Sequence, residues 1–219
     1  MRLIALCALA LTGAACATPP EPQPTPVTPD VVALAIDPAR IDRARDQLPD
    51  GYEVTPYAGA PSPFAAWGFG DLPAADPPPC AALGAPAVDP ASARGWSASG
   101  PGGIVYAVVA AAADPVAPAP ELGAECVHWT VVSGHSTAAV TALPGPDIPA
   151  AQTAGMSSAA TTVVEGGTET HSHSETFVAY LGDYICFVAV VTDPGAPHPA
   201  LGPGFGSDLL ATTVSTLRG

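Results

Sequence analysis

Apolar positions recur at strand-like spacing through the second half of the chain and at helical spacing near its two ends. Residues 104–112 (IVYAVVAAA) and 184–192 (YICFVAVVT) are near-continuous apolar runs, the pattern of strands buried on both faces. A strand candidate at 94–99 and the turn 100–103 (GPGG) precede the first run, which predicts a hairpin. The last third reads as a meander, with arms at 157–164, 170–181 and 184–192 and turns at 165–168 (EGGT) and 182–183 (GD). Shorter strands are predicted at 51–57, 130–134 and 137–143.

Helical spacing is confined to short segments. Asp37 and Pro38 open a stretch with Ile41, Ala44 and Leu48 on one side, ended by Pro49. Residues 78–84 (PPCAALG) suit a single helical stretch, and 120–129 suits a short helix. At the C-terminus Leu209, Leu210, Val214 and Leu217 share a helical face, with Ser207 as N-cap and Asp208 in the first turn. The Pro- and Gly-rich stretch 61–79 reads as irregular, although Phe64, Trp67 and Phe69 are expected to pack. The prediction is an α+β fold, with a mainly antiparallel sheet of about 5–7 strands, a few short helices and a C-terminal helix.

The first 30 residues follow another pattern. Met1 and Arg2 precede an apolar run, Leu3 to Leu11, and small residues continue to Ala17, the layout of a signal peptide. The run of about nine residues is too short for a bilayer span, which needs roughly 20. Two cleavage readings stand side by side. Gly13-Ala14-Ala15-Cys16 can serve as a lipobox with acylation of Cys16, or Ala15-Cys16-Ala17 can be an A-x-A site that frees Thr18. Residues 19–26 (PPEPQPTP) make a Pro/Thr-rich extended spacer, which favours the lipidated form. The expected organisation is a signal peptide at 1–15, a lipidated Cys16 with tether to 30, and one extracytoplasmic domain at 31–219. Such a protein sits on the outer face of the cell membrane, or is secreted if Cys16 is not acylated.

Composition narrows the function. Twenty acidic residues face six basic ones, all Arg, for a formal net charge of -14, and the chain has no Lys. A chain this acidic cannot neutralise a phosphate backbone, so nucleic acid is excluded as a partner. Without Lys there is no P-loop lysine, Schiff base or Ser–Lys dyad. Five Cys are present, and Cys7 leaves with the signal peptide. If Cys16 is acylated, Cys80, Cys126 and Cys186 remain, which allows one bridge with three possible pairings. Because Cys186 lies inside a strand-like run, Cys80–Cys126 is the pairing expected. No C-x-x-C occurs.

In residues 95–109 (GWSASGPGGIVYAVV), Cys126 with Trp129, 164–170 (VEGGTET), 178–195 (VAYLGDYICFVAVVTDPG) and 209–219 (LLATTVSTLRG), the chain resembles a family of mycobacterial and related actinobacterial exported lipoproteins of unknown function. More distantly its layout is similar to the extracellular sensor domain of PknH-type mycobacterial kinases. That resemblance implies an antiparallel sheet backed by helices and a cleft proposed for ligand. It implies two disulfides in the kinase domain, where the three mature cysteines of this chain allow one. It supplies no catalytic residues.

Three kinds of chemistry are conceivable. If residues 169–175 are extended, Glu169, His171, His173 and Glu175 share one face and could hold Zn²⁺ or Cu²⁺, making this a metal-binding envelope protein. The plain alternative is a solvated hairpin face. Ser97, Ser99, Ser133, Ser136 and the five His could serve a hydrolase, but no G-x-S-x-G elbow or triad order supports one. Trp67, Phe69, Trp96, Tyr106, Trp129 and Tyr180 could line an apolar site, or simply form the core. The leading expectation is a non-catalytic, sensor-like domain that binds an envelope lipid, glycan or protein, with no catalytic residue and no cofactor.

Overall fold

Apolar runs such as 104–112 and 184–192 are stable only as strands covered on both sides. The computed structural model describes residues 34–70, 73–114, 120–192, 195 and 201–219. The expectations for the signal peptide, the acylated Cys16 and the tether fall outside these residues. Residues 32–219 form one compact unit.

A 3₁₀-helix, Pro38–Gln47, comes first, followed by β1 (Glu53–Pro56), α1 (Pro63–Ala66) and β2 (Ala74–Asp76). A 3₁₀ turn, Pro78–Cys80, runs into α2 (Ala81–Gly84), and another, Pro90–Ser92, leads to β3 (Arg94–Gly100) and β4 (Gly103–Ala111). Then come α3 (Pro120–Glu125), β5 (His128–Ser133), β6 (Ser136–Leu143), β7 (Gln152–Val163), β8 (Glu169–Tyr180), β9 (Tyr184–Thr192) and α4 (Phe205–Arg218). The nine strands form one sheet in the order β1-β3-β4-β9-β8-β7-β6-β5-β2. Every neighbouring pair is antiparallel.

Alternation along β9 shows both layers. Cys186, Val188 and Val190 face one core, where the 3₁₀-helix and α4 bring Ile41, Ala44, Leu209, Leu210, Val214 and Leu217. Ile185, Phe187 and Ala189 face the other, where Phe64, Trp67 and Phe69 join Trp129, Val131, Val140 and Met156. Each layer is pinned by an indole. Trp96 Nε1 donates to the Ile41 carbonyl at 3.1 Å, and Trp67 Nε1 donates to Thr176 Oγ1 at 2.8 Å. Cys80 and Cys126 are bonded, with Cα atoms 5.6 Å apart, and they join the turn before α2 to the end of α3.

The class is the one expected, and five details differ. The sheet has nine strands rather than about 5–7. β2 lies in the stretch read as irregular, because three residues beside prolines show no alternation and only pairing with β5 defines them. The helix expected at 120–129 stops at Glu125, and β5 begins at His128, since Trp129 and Val131 are both drawn into the second core. β7 begins at Gln152 rather than 157, paired to β8 along its whole length. Ser207 is not the N-cap of the last helix. Gly204, at φ 85, takes that place with a backbone conformation that favours glycine, and Ser207 Oγ donates back to its carbonyl at 2.7 Å.

Two measurements test this packing. Trp96 is 1% exposed, so Trp96→Ala should lower unfolding free energy by about 3–5 kcal/mol in urea titration, and detach the 3₁₀-helix from the sheet. The Cys80–Cys126 bond spans 46 residues, so Cys80→Ser/Cys126→Ser should cost about 4 kcal/mol by the same assay.

Candidate functional site

The layer formed by α4 and the 3₁₀-helix lies over β3, β4, β8 and β9; on the same face of β5, β6 and β7 only the end at Leu143 is packed, beside Ile148 and Ala151. Sheet register decides what that bare face carries. Reading across the strands, Val190, Glu175, Ser157, Thr141 and His128 form one row. Thr192, His173, Ala159, Ala139, Thr130 and Asp76 form the next. His171, Thr161, Thr137 and Val132 form a third. Small and hydroxyl-bearing side chains take the places that Val, Ile and Phe occupy under the helices, as exposure to water requires.

These rows enclose a cleft of about 430 Å³ beside the start of α4. Its lining includes Ala139, Thr141, Ser157, Ala159, His173, Glu175, Val190 and Thr192, with Leu201 and Pro203 forming a wall. The alanines make a low floor, hydroxyls stand at the rim, and one imidazole and one carboxylate come from β8. No lining residue is an arginine. Residues 95–217 contain no basic side chain other than histidine, against ten carboxylates. Elsewhere on the face, His128 Nδ1 lies 3.3 Å from Thr141 Oγ1, and His171 Nδ1 lies 3.2 Å from Thr161 Oγ1.

The sequence candidates are distributed as follows. Glu169, His171, His173 and Glu175 do share one exposed face of β8. Among the described residues, no three His, Cys, Asp or Glu side chains already converge as a metal site. Trp67, Phe69, Trp129 and Tyr180 are buried in the second core, with Tyr106 packed against it, and Trp96 is buried in the first, so these aromatics do not share a pocket. Ser97 pairs with Thr55 at 3.0 Å and Ser136 with Thr162 at 2.8 Å, and among the described residues neither bonds a histidine or carboxylate. The cleft itself carries no signal in the sequence beyond the β8 alternation, because its other residues are ordinary Ala, Ser and Thr from separate strands. No helix among the described residues is long and apolar enough to cross a membrane.

The model of a family described as a domain of unknown function, DUF5642, matches residues 37–218. The chain belongs to the DUF5642 family. No curated protein matches it. An uncharacterized protein (Rv0999 ortholog) from Mycobacterium smegmatis has the same fold, with a TM-score of 0.61 at 18% identity, over 84% of this chain and 98% of that one. The extracellular domain of PknH from Mycobacterium tuberculosis aligns with a TM-score of 0.47 at 12% identity, over 85% of this chain and 93% of that one.

In this DUF5642 chain Cys186 is free and buried, and burial pushes its thiol up to about 12 from 9.0. In the unfolded chain the thiol ionises first, so its contribution to stability is full below pH 9.0 and is lost as pH rises towards about 12. Urea midpoints measured at pH 8 and about 10.5 should therefore fall less for Cys186→Ala than for wild type.

Proposed function

We propose that this protein is a non-catalytic, sensor-like binding domain, carried outside the cell membrane on an acylated Cys16, and that its ligand lies in the cleft that β6–β9 form at the edge of the helical layer. The observation that carries the reading is the uncovered half of the sheet, hollowed by Ala139 and Ala159 and rimmed by Thr141, Ser157, Thr192, His173 and Glu175. Its hydroxyls and imidazole donate and accept hydrogen bonds, its carboxylate accepts them, and the absence of any arginine disfavours an anion. A neutral, hydroxyl-rich molecule such as an envelope glycan suits that lining. The N-terminal pattern around Gly13-Ala14-Ala15-Cys16 and the spacer behind it support export and anchoring.

Native mass spectrometry of protein purified from its own membrane checks both parts. The expected mass is that of a chain starting at diacylated or triacylated Cys16 and carrying a second, non-covalent species. Ala139→Trp, which fills the floor from an exposed position, should remove that species without lowering the unfolding midpoint. A clean apo mass in wild type counts against the cleft reading, and an unmodified N-terminus at Thr18 counts against the anchor.

A further inference from the structure

We infer that the groove between the 3₁₀-helix and the free edge of β1 binds an extended peptide bearing a carboxylate side chain, recognised by Arg45 and Arg94. The groove has a volume of about 400 Å³ and lies at the opposite end of the sheet from β2. Pro38, Val54, Pro56 and Trp96 supply its apolar lining. It shares no residue with the cleft and does not rest on the reading of the cleft.

Charge selects the ligand. The cleft has no arginine, whereas this groove has two of the six in the chain. Both guanidinium groups are held in place by backbone carbonyls. Arg45 Nε donates to the Asp42 carbonyl at 2.7 Å, and Arg94 Nη1 donates to the Ala93 carbonyl at 2.8 Å. A guanidinium has five N–H donors in a rigid fork, so each arginine keeps others for a carboxylate. Arg45 is already paired with Asp42, and Arg94 has no carboxylate partner among the described residues. The charged lining of Asp42, Arg45 and Arg94 therefore sums to one positive charge, which suits a single carboxylate better than a doubly charged phosphate.

The backbone selects a peptide. β1 ends the sheet, and among the described residues it pairs only with β3. Tyr57 N–H donates to the Gly95 carbonyl at 3.0 Å. The alternation of an antiparallel ladder then directs Thr55 and Glu53 to β3, and leaves Val54 N–H and the Val54 and Pro56 carbonyls on the outer edge. Proline offers no N–H, so this edge has one donor and two acceptors and cannot template a long strand. A short peptide satisfies that set by strand addition, while a simple carboxylic acid has no N–H for the two carbonyls.

Titration of the ¹⁵N-labelled exported protein with a pool of acetylated pentapeptide amides, Glu at the centre and varied elsewhere, tests this. Saturable amide shifts are expected, largest at Val54, Arg45 and Arg94. The matched pool with Gln at the centre should bind about tenfold more weakly, the loss of a charge-assisted hydrogen bond. Arg94→Gln should weaken the Glu pool by a similar factor, and Arg45→Gln by less, because Asp42 already shares that guanidinium. N-methylation of the peptide backbone beside Glu should weaken binding too, and Ala139→Trp should leave it unchanged. Absent binding of the Glu pool overturns the inference. So does equal affinity for the Gln pool or for sodium acetate alone, or undiminished binding to Arg94→Gln. Val54 shifts that follow protein concentration without peptide would assign the groove to a second copy and overturn it as well. Arg94 is exposed, so the thermal melt of Arg94→Gln should match wild type.

Discussion

Strands β4, β8 and β9 present apolar side chains on both faces, so they are stable only where something lies on each side of the sheet. The rest of the architecture follows from how little covering material the chain has. Nine strands at about 4.8 Å spacing make a sheet roughly 40 Å wide, whereas two helices of about 10 Å diameter shield about four strands. Those four are β3, β4, β9 and β8, and the carpet of Leu209, Leu210, Val214 and Leu217 ends there. On the opposite face no long helix is available among the described residues. Phe64, Trp67, Phe69 and the Cys80–Cys126 bond form the cover instead. The bare half-face over β5–β7 is thus a consequence of stoichiometry between sheet and helices, and its Thr, Ser and Ala composition is what exposure tolerates.

Long-period features were readable from the sequence and short ones were not. β3, β4, β6, β8, β9 and α4 were expected because each carries enough residues for a period of two or 3.6 to repeat. β2 has three residues and no period, so it exists only through its partner β5. The segment Pro38–Gln47 was legible as helical but not as 3₁₀, because Ile41 and Ala44 are three apart, a spacing compatible with both helix types. Ser207 is a good N-cap by residue type, yet Gly204 wins because Gly206 packs against Phe177 and the helix must begin before it.

The same distinction separates the parts of the candidate site. The shared face of Glu169, His171, His173 and Glu175 was legible, since it depends on one strand. The cleft was not, since it depends on register across β6, β7, β8 and β9 and on where α4 begins. No residue type in it is unusual, and only the sheet brings Ala139 beside Ala159 and Thr192 beside His173. Conversely, the aromatics that looked most like a binding site were needed for burial. A chain with 6% aromatic residues has few large side chains to fill two cores.

Net charge is a weaker guide to recognition than its size suggests. At physiological ionic strength exposed charges are screened beyond about 8 Å, so a ligand on β7 and β8 does not feel all fourteen excess carboxylates. Within that range on the bare face stand Glu169 and Glu175, with Asp76 several strands away at the sheet edge. The arginines lie elsewhere: Arg40, Arg43 and Arg45 on the 3₁₀-helix, Arg94 at the start of β3, and Arg218 at the end of α4. Two of them are matched at once by Asp37 and Asp42. The outer half of β8 therefore carries two carboxylates without a basic partner in the same strand, whereas the cleft is lined mainly by small and hydroxyl-bearing side chains. Both are properties of local placement in the sheet, and either could be changed by one substitution without altering the global charge appreciably.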